Sequence, residues 1–418
     1  MKINVKQIFQ SVRRSLVVAL AISGVAMSAS AQWPIAQGMA QLPADSAGNV
    51  LPVRISLITS TPGPLNFEHY GHTMIRVQCG EIDELFNYGI FNFRQPNFLY
   101  RFVKGDAPYM VASYPFMYVT SGYEDRKISG QVLNLTQEQA LWVASYLLNN
   151  VLPGNNTYHY EYCLNNCATQ PRDIIEQSLA GTLKYCDPER VETFRDIMHY
   201  YDENYPWQSF GIDLLLGRQL DRKITYREAM FVPQVLEEAF ENALIVAADG
   251  TTQPLVSDHY SIVDGPDCGQ VEPPTPWYFS PNTAFALLLI IIGWITYRQH
   301  KRRKQGQWLD TLLFLPLGIG GCLIAFLVCF SLHYATGQNV NILWMHPLCL
   351  LPAVLGWIKS CRRKLFYYHC LSVIAIVAAC VMGVLHVQYL QPGFYLIMAA
   401  SVIRSAHIIQ LNIHENYA

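Results

Sequence analysis

Apolar and polar residues are unevenly spread along the chain. Lys2, Lys6, Arg13 and Arg14 precede an apolar run from Leu16 to Met27 and the small residues Ala29-Ser-Ala31. That layout is a secretory signal and predicts cleavage before Gln32. Up to about Pro274 the pattern is that of an ordinary soluble domain. Val53–Ser60 alternates and is rich in β-branched residues. Thr73–Gln78, Leu85–Ile90, Pro115–Thr120 and Lys127–Leu135 are read as further strands. Thr136-Gln-Glu-Gln139 is a capping box that opens a helix to about Asn149. Ile174, Ile175 and Leu179 recur at helical spacing after Asn165-Asn166-Cys167, and Glu189–Tyr201 and Arg227–Ala247 also read as helices.

The pattern then changes. Gly265 to Pro281 carries several prolines and reads as a linker. Beyond it, five apolar stretches near 280–298, 310–333, 341–358, 366–388 and 393–412 are each long enough to span a bilayer. Lys301-Arg-Arg-Lys304, and Lys359 with Arg362, Arg363 and Lys364, lie in alternate connections, whereas the loops around Gly337 and Gln391 carry no Lys or Arg. By the positive-inside rule both basic loops are cytoplasmic and the domain before the spans is exported, in agreement with the signal. The predicted layout is a signal over 1–31, an exported domain over 32–264, a linker over 265–279 and a transmembrane domain over 280–418. The fold class is α+β, followed by an all-α bundle of about five transmembrane helices.

Composition adds two constraints. A net charge of −2 argues against a nucleic-acid partner. Five cysteines fall in the exported part: Cys79, Cys163, Cys167, Cys186 and Cys268. An odd number leaves at least one thiol unpaired or paired between chains, and Cys163 with Cys186 is a plausible bridge, although spacing does not fix the pairing.

Candidate chemistry centres on Tyr160-Glu-Tyr-Cys-Leu-Asn-Asn-Cys167. Pro171 belongs in a first helical turn, which places Cys167 near a helix N-terminus, where free N–H groups favour a thiolate. The matching base is His72, directly before a strand and beside Gly71; His69 competes for that role and His159 reads as a surface residue. Glu68 and Tyr88 are candidates to orient the imidazole. Asn166 caps the helix or assists an oxyanion hole built from backbone N–H groups. Arg172 pairs with Asp173 or meets a phosphate. Arg94 and Arg101, in the aromatic Asn92–Phe102 stretch, and Arg404, inside the last span, are candidates for lipid headgroups. His69, His72, Cys163 and Cys167 have only loose zinc-ligand spacing, so no metal and no cofactor is expected.

Gly71-His-Thr73, Asn87-Tyr-Gly89, Asn166-Cys-Ala-Thr169 with Arg172-Asp173, Gly211-Ile-Asp-Leu-Leu-Leu-Gly217 and Met230-Phe-Val-Pro233 resemble the Lnb-type lipoprotein N-acyltransferases of Bacteroides-like bacteria. The resemblance covers nearly all of the mature chain. More distantly, a histidine at a strand followed by Asn-Cys at a helix is similar to circularly permuted papain-like enzymes of the NlpC and lecithin:retinol acyltransferase type. The resemblance implies a multi-pass protein of the bacterial inner membrane with its catalytic domain in the periplasm. It implies that Cys167 takes an acyl chain from a phospholipid and passes it to the α-amine of a diacylated lipoprotein, with His72 handling the protons. The same dyad would serve a membrane-tethered cysteine amidase or peptidase acting on cell-wall peptides. A third reading is a non-enzymatic transport or assembly protein.

Overall fold

The computed structural model describes residues 42–63, 68–92, 94–121, 126–179, 182–189, 192–247, 249–265 and 274–417. The predicted signal segment, Cys268 and most of the predicted linker lie outside these residues.

Strands form where the alternation is strongest: β1 (Val53–Ser60), β2 (His72–Cys79) and β3 (Ile82–Ile90). They are followed by α1 (Phe98–Lys104), β4 (Pro108–Pro115), β5 (Ile128–Leu133), α2 (Gln137–Asn150) and β6 (Thr157–His159). A small second sheet joins β7 (Leu183–Lys184), β8 (Leu244–Val246) and β9 (Thr252–Pro254). β10 (Val256–Val263) returns to the main sheet, whose order is β10-β5-β1-β2-β3-β4-β6 and whose pairs are all antiparallel.

The predicted capping box is present, with Thr136 and Gln139 bonding each other's backbone at the start of α2. It is worth about 1 kcal/mol. The strand predicted over Pro115–Thr120 is not formed there. The strand β4 ends at Pro115, which has no N–H to extend the ladder, and Phe116–Tyr118 is a 3-10 turn. β10 is missing from the predicted strands because it is an edge strand whose Ser257, Asp258, His259 and Ser261 face water, so the apolar alternation is weak.

The cysteine segment leads into α3 (Thr169–Ser178), followed by α4 (Phe194–Tyr201), α5 (Pro206–Leu215), α6 (Tyr226–Ala229) and α7 (Pro233–Glu241). The single helix predicted over Arg227–Ala247 is thus two helices and a strand. Pro233, lacking an N–H, starts a new helix instead of continuing the old one.

Among the described residues four helices are long and apolar enough to cross a membrane: α8 (Pro281–Lys301), α9 (Gln307–Phe330), and two that follow. Between α9 and those two lie α10 (Leu350–Leu355) and α11 (Lys359–Arg362); the two long helices are α12 (Leu365–Val384) and α13 (Pro392–Tyr417). The third predicted span is therefore not one helix. Residues 340–355 run instead as 3-10 turns and the six-residue α10. Pro347 disfavours helical geometry at His346, and His346 is extended (φ −124°, ψ 159°). Irregular backbone at this depth is tolerated only against protein. α9 supplies that wall: a Cβ on Gly318 would lie 2.8 Å from the Leu350 nitrogen, and one on Gly321 would collide with the His346 backbone.

Pro43–Ala418 form one compact unit. The joint between sheet domain and membrane helices is polar at its centre and apolar around it. Buried Arg195 pairs with Asp213 (2.7 Å) and Asp221 (2.8 Å), and Asp221 accepts from the Tyr389 N–H at 3.1 Å. Asn341 and Asn339 each donate at 2.9 Å to the backbone of α5, to Asp213 and Leu214 respectively. Phe210 of α5 stacks on Phe285 (5.0 Å) and meets Phe394 edge to face (4.8 Å), inside the membrane bundle.

Candidate active site

Two local features position the candidate residues. Gly71 adopts φ +77°, and a Cβ there would lie 2.6 Å from the Ser60 carbonyl, so glycine is required for the chain to turn directly into β2. His72 is the first residue of that strand. At the other end, the loop before α3 is fixed by Asn166. Its Oδ1 accepts from the Ala168 and Thr169 N–H groups, both at 2.9 Å, and its amide donates to the Tyr162 and Phe231 carbonyls, both at 2.8 Å. Asn166 is thus a helix-capping residue whose side chain is fully engaged, and it has no donor to offer an oxyanion. Pro171 lies in the first turn, as predicted.

Cys167 sits just before α3 and reaches the start of β2, where its sulfur meets the backbone N–H of Thr73, the residue after His72. Gly89 of β3 flanks it. A Cβ on Gly89 would be 3.6 Å from the Cys167 Cβ and 3.7 Å from the Tyr160 ring, and Gly89 itself has φ +94° at an irregularity in the β3–β4 pairing. Such bulges redirect a strand beside a site.

The residue that orients His72 is Asn87, which was not among the predicted partners. Its Oδ1 lies 2.7 Å from His72 Nε2. Its amide nitrogen donates to the Tyr114 hydroxyl at 3.0 Å, and that hydroxyl points to the Met74 sulfur at 3.1 Å. The chain of donors fixes the amide with its oxygen toward the ring. Nε2 therefore carries the hydrogen, and Nδ1 is the basic nitrogen of the neutral imidazole. The register explains the meeting. Met74 pairs with Asn87, so His72, two residues before Met74, is the diagonal neighbour on the same face. One signal was legible beforehand: an Asn is disfavoured inside a strand, and this one lies between Phe86 and Tyr88.

The other predicted partners are engaged elsewhere. Tyr88 projects from the opposite face of β3 and donates to Asn150 Oδ1 at 2.6 Å. Glu68 forms a buried ion pair with Arg126. His69 is 2% exposed, stacks on Tyr205 at 3.8 Å and has Nδ1 3.5 Å from Asp202. His159 is exposed. Arg172 is buried against Asp173 (2.7 Å) and donates to the Arg227 carbonyl at 2.7 Å, so it is not available to a phosphate. Arg404 is also buried; it pairs with Asp310 and donates to Gln299 at 2.6 Å and Gly306 at 3.1 Å. It ties α13 to the loop after α8 and is fully buried there. Arg94 is exposed, and Arg101 is half-buried with Asp106, its Nη2 donating to the Asp106 carbonyl at 2.8 Å.

Cys79, Cys163, Cys167 and Cys186 are free thiols, so the expected Cys163–Cys186 bridge is absent. Cys163 is instead a packing residue among Tyr70, Phe194, Met198 and Phe231. Among the described residues no group of His, Cys, Asp and Glu is arranged to hold a metal ion.

Electrostatics revise the expected thiolate. Burial pushes the Cys167 thiol up to about 11, against the pull of the Thr73 and Cys167 N–H groups. Burial holds the His72 imidazole down at about 4; the Asn87 hydrogen bond opposes this and the Arg126 cation adds to it. At neutral pH both groups are uncharged. A nucleophile here needs the imidazole to take its proton as it attacks.

The surroundings connect this pair to the membrane helices. Tyr160 stacks on Tyr109 at 4.2 Å, Tyr109 meets Phe91 at 5.2 Å, Phe91 meets Phe98 at 5.8 Å, and Phe98 meets Phe102 at 6.0 Å. α1, which carries the last two rings, lies on the end of α9: Tyr100 is 6.1 Å from Phe326, and the Leu332 N–H donates to the Lys104 carbonyl at 2.8 Å. Leu99 and Tyr100 are 66% and 57% exposed there, beside Phe330 and Leu332 at 65% and 58%. Exposed apolar side chains grouped in this way suit a lipid or partner contact.

A cysteine and a histidine on an α+β domain fixed to membrane-spanning helices define a membrane protein with an extramembrane domain that carries the candidate chemistry. Residues 48–200 match the family model for the Lnb N-terminal periplasmic domain, and residues 273–416 match that for the Lnb transmembrane domain. The chain belongs to the Lnb family, and its sheet domain is periplasmic. No curated protein and no solved structure matches it significantly.

Proposed function

We propose that the protein is a lipoprotein N-acyltransferase of the bacterial inner membrane that works through a Cys167 thioester. The observation that carries this reading is the unbroken run of aromatic rings from Tyr160, beside Cys167, to the exposed apolar end of α1 and α9. A peptidase needs no such connection to the bilayer, whereas a lipid donor does. In the first half-reaction His72 Nδ1 takes the thiol proton as sulfur attacks the ester carbonyl of a phospholipid. The S–C bond forms, the ester C–O bond breaks, and the imidazolium returns the proton to the departing lysophospholipid alkoxide. The Thr73 and Cys167 N–H groups, which already lower the thiol pKa, are the donors that would stabilise the adjacent oxyanion. In the second half-reaction the α-amine of a diacylglyceryl-cysteine attacks the thioester. The N–C bond forms, the S–C bond breaks, and the amine proton passes through His72 to the sulfur. Asn87 keeps the ring in the required tautomer throughout.

The test is mass spectrometry of lipoproteins and of Cys167 itself. Wild-type protein should carry a hydroxylamine-sensitive acyl group on Cys167, and Cys167→Ala and His72→Ala should leave lipoproteins diacylated. Full N-acylation in cells that depend on a stably expressed Cys167→Ala variant would overturn the proposal.

A further inference from the structure

The face of the membrane bundle opposite the periplasmic domain holds a cavity of about 1110 Å³ between α8, α9, α11 and α13. Arg298, Arg302, Arg303, Lys304, Lys359 and Arg363 converge on it, and among the described residues no Asp or Glu lines it. Among the described residues none of these six cations forms an ion pair with a carboxylate; Arg298 instead lies 5.4 Å over the Trp294 ring. The nearest buried acid, Asp310, is already neutralised by Arg404 behind the wall. A topological excess of Lys and Arg explains why such residues occur on this face. It does not require them to meet around one concavity.

The lining also includes the apolar side chains of Trp294, Ile295, Ile408 and Leu411. Trp294 and Trp308, both in the lining, are 60% and 51% exposed, as indoles at headgroup level are. A lining that combines cations with apolar side chains matches an amphiphile with a phosphate at its polar end. A free phosphate would use only half of this lining. We infer that the cavity is a binding site for an anionic phospholipid of the leaflet facing away from the periplasm. This site is separate from Cys167 and stands whether or not the acyltransferase reading holds.

The experiment uses the full-length protein in phosphatidylcholine nanodiscs with and without phosphatidylglycerol, followed by native mass spectrometry and thermal denaturation. Phosphatidylglycerol should be retained by the protein and should raise Tm. In Arg302→Gln/Arg363→Gln the apparent affinity should fall about 10- to 30-fold. Lys301→Gln/Lys364→Gln removes the same charge from residues that do not line the cavity and should change it little. Equal losses in the two double variants would overturn the inference, because they would reveal a general surface attraction. Inorganic phosphate reproducing the stabilisation would also overturn it, the ligand then being a soluble anion. Should the Arg302/Arg363 variant fail to fold, a photoactivatable phosphatidylglycerol on the wild-type protein decides. Labelling confined to peptides 294–308 and 359–363 supports the site, and dispersed labelling refutes it.

Discussion

Raising pH should switch on Cys167 gradually, with no reactive thiolate in the acid and neutral range. An ordinary thiol near pH 8.5 is about one-tenth ionised at pH 7.5, whereas one at about 11 is ionised to roughly one part in 3,000, a deficit of about 300-fold or some 3 kcal/mol. The cause is desolvation at the mouth of α3, which outweighs the two backbone N–H groups. His72, at about 4, is neutral over the same range and provides no imidazolium to hold a thiolate. The assay is alkylation by iodoacetamide between pH 5 and 10.5. The Cys167 peptide is quantified by mass spectrometry, and exposed Cys186 serves as an internal standard for the reagent. Restricted access would lower all Cys167 rates together, so the slope is the diagnostic quantity. The logarithm of the rate should climb steadily toward the top of the range. Thioester formation on Cys167, the half-reaction that needs only His72, should reach its plateau once pH exceeds about 5, the base being free above about 4, and should show no alkaline loss near pH 8. A flat alkylation rate from pH 5 to 8 would mean a preformed thiolate–imidazolium pair and would refute the electrostatic argument.

Asn87→Ala removes the partner of His72 Nε2 and should lower kcat about tenfold, with KM little changed, from the loss of one hydrogen bond of about 1.5 kcal/mol. Gly89→Val places a branched side chain against Cys167 and forces φ +94° on a residue that avoids it, so activity should vanish and stability fall by roughly 1–3 kcal/mol, read by activity and Tm. Asp310→Asn should destabilise the membrane bundle by about 3–5 kcal/mol by leaving Arg404 buried and unpaired, whereas Asp310→Leu/Arg404→Met should recover much of the Tm. Because the His72 pKa is depressed, the unfolded chain takes up a proton below about pH 6.5 that the folded state refuses. Stability should therefore fall as pH drops from about 6.5 toward 4, by up to about 3 kcal/mol, and His72→Gln should flatten that limb in a Tm–pH series.

The parts of the site that local pattern determines were legible in the sequence. A strand after Gly71 and a helix after Asn166 follow from alternation, capping chemistry and the place of Pro171. These put His72 and Cys167 at the ends of their elements before any tertiary contact is known. Orientation of the imidazole was not legible, because it depends on the β2–β3 register. Shifting that register by one residue would present Tyr88 in place of Asn87. Glu68 was misread for a similar reason. Its partner, Arg126, belongs to the segment entering β5, and nothing near Glu68 announces it. In the membrane half, hydropathy found the apolar stretches but not their shape. The Gly-rich face of α9 decides that residues 340–355 can cross without forming a long helix. Arg404 looked central in a short span, yet α13 continues to Tyr417, so Arg404 lies level with the loop after α8 that it binds.

The joint between the two domains bears on how a lipid reaches the thiol. Glu161, six residues before Cys167, accepts from the Tyr334 N–H at 3.1 Å, in the loop that follows α9. The Gly217 N–H donates to the Ala335 carbonyl at 2.7 Å in the same loop, and Arg195 reaches Tyr389 through Asp221. These contacts are short, buried or backbone-mediated, and they come from three separate segments of the periplasmic domain. Lowering Cys167 into the bilayer would break them together and strip Glu161, Gly217 and Asp221 of these partners, at about 1–3 kcal/mol for each buried group left unsatisfied. Under the proposed mechanism the substrate must therefore rise to the cysteine. The aromatic rings between Phe102 and Tyr160 offer an acyl chain contact over that distance, so desolvation is kept while the ester leaves the membrane surface. The same dryness that raises the Cys167 thiol follows from this arrangement. A site open to water would have an easier thiolate, but under the proposed mechanism it would hydrolyse the thioester before the second substrate could receive it.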